Sequence, residues 1–109
     1  MTHITIYRNQ ASAFTGFCCD GHAGYADAGE DIVCAGISTL VINTINSIEL
    51  LTETTILADA DEADGAIDVN FPSGCDKQAK LLVDAMILGL QGIQNNYGKK
   101  FLTLDFKEV

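Results

Sequence analysis

Basic side chains are scarce in this chain: six Lys and Arg stand against 15 Asp and Glu over 109 residues, for a net charge of −9. A protein so acidic has little with which to neutralise phosphates, which argues against direct nucleic-acid binding. The same imbalance either steers basic partners and substrates toward the surface or simply keeps the chain soluble. Proline occurs once, at Pro72, and there is no C-x-x-C spacing, internal repeat, linker or low-complexity tract. The four cysteines stand at 18, 19, 34 and 75. Cys18 and Cys19 are adjacent, and neighbouring cysteines rarely bridge each other because the geometry is strained. The N-terminus carries no secretion-signal pattern, so reduced thiols in a cytoplasmic protein are expected. No apolar run reads as long enough to span a bilayer, and no membrane partner is expected.

What is present is a core. Apolar residues make up 48% of the chain, enough for one globular domain over residues 1–109 that buries roughly two thirds of its unfolded surface. Ile4 and Ile6, flanked by Thr5 and Tyr7, alternate as a strand, and residues 13–19 follow as its hairpin partner. A helix is expected over residues 32–51, with Val33, Ile37, Leu40, Val41, Thr44, Ile45, Ile48 and Leu51 as its apolar stripe. Only Glu49 is charged there, so burial on more than one side is expected, by the domain and a dimer contact or by packing under the sheet alone. Residues 54–58 read as a strand, 59–64 as a solvated acidic turn, and 66–71 as a strand ended by Pro72. A second helix covers residues 77–97, with Leu82, Val83, Met86, Ile87, Leu90 and Ile93 at helical spacing and Gly98 as its stop. Residues 101–106 close the sheet. The order β-β-α-β-β-α-β gives an α+β fold, two helices packed on one mostly antiparallel sheet.

The chemistry concentrates between residues 21 and 38. Gly21, Gly24 and Gly29 punctuate a loop that starts with His22 and leads to Cys34. Asp31 reads as the N-cap of the first helix, which would put Cys34 in its first turn. There the unpaired N–H groups and the positive end of the helix dipole favour thiolate over thiol and offer an oxyanion hole. A histidine folded back onto such a thiol can act as its general base. Ala35, Gly36 and Ser38 follow. Gly36 costs about 1 kcal/mol in a helix interior relative to Ala, which is tolerated if a substrate, or simply a packed helix, must approach the backbone. Ser38 is one helical turn beyond Cys34 and can donate to a bound carbonyl.

Three readings compete on these residues. Cys34 is a nucleophile, or a cysteine packed in a core helix of a non-enzymatic binding or assembly module, or part of a zinc or redox set with Cys18, Cys19 and His22. The last has a spacing that fits no common tetrahedral site, so no metal or cofactor is expected. Cys75, after Pro72-Ser73-Gly74, reads as an exposed turn residue.

The run G-H-A-G, then G-x-D-I-V-C-A-G-I-S, leading into a long apolar helix, resembles the signature of the ribosomal-processing cysteine protease family Prp. The specific part of that resemblance is residues 21–38, and it extends to chain length and element order. It implies that His22 and Cys34 form the catalytic dyad, with Asp31 and Ser38 at positions beside the nucleophile, and less defined supporting roles for Gly21, Ala35 and Gly36. It further implies an endopeptidase that removes the N-terminal extension of a basic large-subunit ribosomal protein, working as a homodimer. The Cys18-Cys19 pair has no counterpart in that pattern.

Overall fold

The computed structural model describes residues 1–21, 28–61, 65–98 and 100–109, and of residues 28–31 the backbone alone. Strand β1 (Thr2–Arg8) turns through Asn9, whose side chain accepts the N–H groups of Ala11 and Ala13, into β2 (Phe14–Asp20). Helix α1 (Ala28–Leu51) follows, then β3 (Leu57–Asp61), β4 (Ala66–Asn70), α2 (Lys77–Tyr97) and β5 (Leu102–Glu108). The sheet order is β3-β4-β2-β1-β5. Every pairing is antiparallel except β1 with β5, where Thr2 stands opposite Leu102. The expected α+β order and mostly antiparallel sheet are both found.

Alternation along the strands sets two unlike faces. Ile4, Ile6, Phe17, Cys19, Val69 and Leu102 are buried and point toward the helices. Phe17 meets Phe71 edge-on, with ring centroids 6.2 Å apart. From α1 come Val33, Ile37, Val41, Ile45 and Ile48, and from α2 Ala79, Val83, Met86, Ile87 and Leu90. The helices approach closely: a Cβ at Gly89 of α2 would lie 2.7 Å from a Leu40 methyl carbon of α1. The other sheet face has no helix over it among the described residues. It carries His3, whose Nδ1 lies 2.6 Å from the Thr103 hydroxyl, together with Asp20, Asp59, Asp61, Asp68 and Asp105.

Three expectations need correction. Helix α1 begins at Ala28, not at residue 32, so Asp31 lies inside the first turn and is not the N-cap. Acidic residue types at positions 30 and 31 of the sequence suit a first turn, because the helix dipole has its positive pole at that end. Strand β3 begins at Leu57 and runs through Asp61, so the first half of the acidic run is an exposed edge strand; residues 62–64 lie outside the described residues. Thr54 is not in the strand because its hydroxyl accepts the N–H of Asp76 at 2.9 Å, tying the connection to the start of α2. Within the single chain α1 is packed on its inner face, while Ile32, Ile42, Leu50 and Leu51 stand exposed on the outer one, where a dimer contact is expected. By length and composition alone, Ile32–Leu51 is apolar enough to cross a membrane, with mean hydropathy 1.4, contrary to the sequence reading. In the fold its inner face is core.

Candidate active site

Cys34 lies in the second turn of α1, six residues past Ala28, rather than in the first. The N–H groups beside it are therefore used within the helix, and the open N–H groups of the helix start are a turn away. Its side chain is buried, with 5% of the residue exposed. The Cys34 sulfur lies 4.0 Å from the hydroxyl oxygen of Thr2, itself 5% exposed.

Thr2 is held from two sides. Its N–H donates to the carbonyl of Phe101 at 3.0 Å. Against it also lies Gly21, at the exit of β2, with φ of 137°. A Cβ at Gly21 would come 2.9 Å from Thr2 Cα and 2.3 Å from the Met1 carbonyl oxygen. Gly21 is the last residue before His22. The point where the chain enters the histidine segment and the Cys34 thiol thus both border one residue, the first of β1. His22 itself lies outside the described residues, as does the Asp31 side chain.

The other candidates fall elsewhere on α1. Ser38 is exposed one turn beyond Cys34, as its spacing requires. Ala35 and Gly36 point outward and, with Thr39, Leu40 and Asn43, line an open groove of about 470 Å³. A Cβ at Gly36 would meet only a methyl of Ile93, at 3.9 Å, so packing does not demand glycine there.

The remaining thiols are placed unlike Cys34. All four cysteines are free. Cys18 and Cys19 point to opposite faces of the sheet, Cys18 with its sulfur 3.5 Å from the Tyr7 hydroxyl, so the two cannot join one ligand set around a metal. Among the described residues, no group of three His, Cys, Asp or Glu side chains is gathered for one. Burial, with the charges of Cys18, Asp20 and Cys34 adding, pushes the Cys19 thiol from 9.0 up to about 11. Burial and the carboxylates of Asp76 and Asp84 do the same to Cys75, also to about 11. Cys75 is half-buried, not exposed as its turn context suggests.

These two thiols make stability pH-dependent. In the folded protein they hold their protons up to about pH 11, whereas in the unfolded chain they release them near 9. Between those values the folded state binds more protons, so stability falls as pH rises. Urea unfolding is expected to show a midpoint that drops through this window, less steeply in Cys75→Ala; a flat midpoint would contradict it.

Thr2 escaped the sequence reading. Its contact with Cys34 spans 32 residues, and the order of strands in the sheet creates it, so no local spacing announces it.

Comparison with known proteins now bears on the site. A family model described as cysteine protease Prp matches residues 1–101. The ribosomal processing cysteine protease Prp of Bacillus subtilis is 33% identical over 101 residues, 89% of this chain and 90% of that protein. The crystal structure of an essential ribosomal processing protease Prp from S. aureus in complex with a substrate peptide matches with a TM-score of 0.90 at 28% identity, covering 98% of this chain and 100% of that one. SMU.848 from Streptococcus mutans matches with a TM-score of 0.87 at 29% identity, covering 100% and 99%. The relatives named as proteases set aside the reading of a non-catalytic binding module, and this chain belongs to the Prp family of cysteine proteases.

Proposed function

We propose that this protease removes the N-terminal extension of a large-subunit ribosomal protein in the cytoplasm, with Cys34 as nucleophile and His22 as its base. The observation that carries the reading is the shared border on Thr2: the Cys34 sulfur and the residue preceding His22 both pack against it. A short segment leaving Gly21 starts within reach of the thiol. Burial raises the Cys19 and Cys75 thiols to about 11, which makes each harder to ionise than an ordinary thiol.

In the reaction His22 takes the proton of Cys34, and the sulfur attacks the scissile carbonyl carbon. The C–N bond then breaks as His22 returns the proton to the leaving amine. Water attacks the thioester, again with His22 as base, which frees the carboxylate and restores the thiol. A basic substrate suits a protein of net charge −9, which draws it in by long-range attraction.

The family resemblance also implies a homodimer, and the outward face of α1 supports one. Ala35, Gly36, Thr39 and Asn43 form an uncharged groove beside exposed Ile42 and Leu50, on a protein of net charge −9. Asn43→Arg is expected to convert a dimer to a monomer in sedimentation; an unchanged sedimentation coefficient would move the interface elsewhere.

The reaction itself is tested with a peptide spanning the extension and the first mature residues of the organism's own ribosomal protein. One cut, read by mass spectrometry, is the expected product. An uncut peptide that nevertheless binds would overturn the substrate assignment.

A further inference from the structure

Among the described residues, the Cys34 sulfur has a polar side-chain neighbour in Thr2, which is not a residue of the 21–38 motif. Thr2 Oγ1 lies 4.0 Å from Sγ, and both residues are 5% exposed, so water does not readily take the place of either. A hydroxyl can donate to a sulfur anion, and a hydrogen bond to an ionised partner in a dry setting is among the stronger ones. Thr2 is also fixed in place by backbone: its N–H is bound to the Phe101 carbonyl, and Gly21 presses against its Cα. As a β-branched residue it has few rotamers to choose among, so its hydroxyl does not wander from the sulfur.

We infer that the Thr2 hydroxyl is a positioning residue for the protease, donating to the Cys34 sulfur as it ionises and holding it in place for attack. The inference rests on Cys34 being the nucleophile. In this role Thr2 acts through the sulfur, and it links the sulfur to the strand end on which the His22 segment begins.

Three variants separate a hydroxyl from a packing role. Thr2→Val keeps the volume and loses the hydroxyl, Thr2→Ser keeps the hydroxyl and loses a methyl, and Thr2→Ala loses both. Two readouts are taken: the pH profile of Cys34 alkylation by iodoacetamide, followed by peptide mapping, and kcat and KM for the peptide. In Thr2→Val the alkylation midpoint is expected to move up by about one pH unit and kcat to fall about tenfold at unchanged KM, the size of a lost hydrogen bond to a charged group. Thr2→Ser is expected to restore both. A Val variant with the wild-type profile and kcat would overturn the inference, as would Ser and Val variants shifted alike. Should Thr2→Val not fold, Ser and Ala, which differ by the hydroxyl alone, decide by the same criterion. The alkylation arm reads the thiol whether or not Cys34 is the nucleophile. Loss of the proposed catalytic role would appear instead as cleavage surviving in Cys34→Ala.

Discussion

Cys34→Ala is expected to leave a folded protein with no measurable cleavage, a fall of roughly 10⁴-fold or more in kcat, as removal of a covalent nucleophile produces in other hydrolases. Ala keeps the helix, since it is the best helix former, and the loss at a buried thiol is a single atom. Stability should therefore fall by only about 1 kcal/mol, far less than the loss of activity. Two of the other cysteines, Cys18 and Cys75, supply the contrast. Cys18 lies on the sheet face away from the helices. Cys75 lines a groove with Ala13, which precedes β2, whereas Gly21 follows β2. A seven-residue strand thus separates Cys75 from the Cys34 neighbourhood, roughly 20 Å at the usual rise. Cys18→Ala and Cys75→Ala should cleave at near wild-type rates. His22→Ala should lose cleavage as Cys34→Ala does, and the double variant should be little worse than either, because a nucleophile and its base act as one unit. Cleavage by Cys34→Ala at even a hundredth of the normal rate would remove the thiol from the chemistry.

The parts of this molecule that sequence reveals are those with local causes. Helix α2 is read from its apolar spacing and its Gly98 stop, and the structure adds the Asp76 cap at its start. Asp76 accepts the N–H of Ala79 at 2.7 Å, and the Gly98 N–H bonds back to the Gln94 carbonyl at 2.8 Å with φ of 96°. Its stripe of Val83, Met86, Ile87 and Leu90 is buried as the periodicity requires. Alternation likewise sorts Cys18 from Cys19. The start of α1 is misread because an acid before an apolar run looks the same as a cap or as a first-turn residue; Ala28 and Glu30, good helix formers, carry the helix further back. The motif that holds His22 and Cys34 is legible as a pattern, but the surroundings of the thiol are not. Thr2 reaches Cys34 only because β1 is a central strand between β2 and β5, and sheet order has no local signature.

That non-local arrangement hinges on Gly21, whose replacement by alanine should damage the site more than the fold. With φ of 137°, Gly21 occupies backbone space that L side chains rarely enter, and the added Cβ would stand 2.3 Å from the Met1 carbonyl oxygen. Both obstacles are backbone, so no side chain can swing aside. The strand end of β1 or the exit of β2 must shift by several tenths of an ångström. Conformational strain and displacement together are expected to cost about 2–3 kcal/mol, read as a lowered urea midpoint. The shift also passes directly to Thr2, against whose Cα the same Cβ would lie at 2.9 Å, and to the bond that starts the His22 segment. Misplacement of reacting groups by even about 1 Å costs on the order of 100-fold in rate, so kcat should fall about that much in protein that is still folded at the assay temperature. Gly74→Ala isolates the strain. Gly74 also has positive φ, 88°, yet a Cβ there meets nothing within 4 Å. It should cost about 1 kcal/mol and leave cleavage unchanged. If Gly21→Ala loses stability but cleaves at the rate of Gly74→Ala, the border between Gly21, Thr2 and Cys34 does not set the geometry of the reaction.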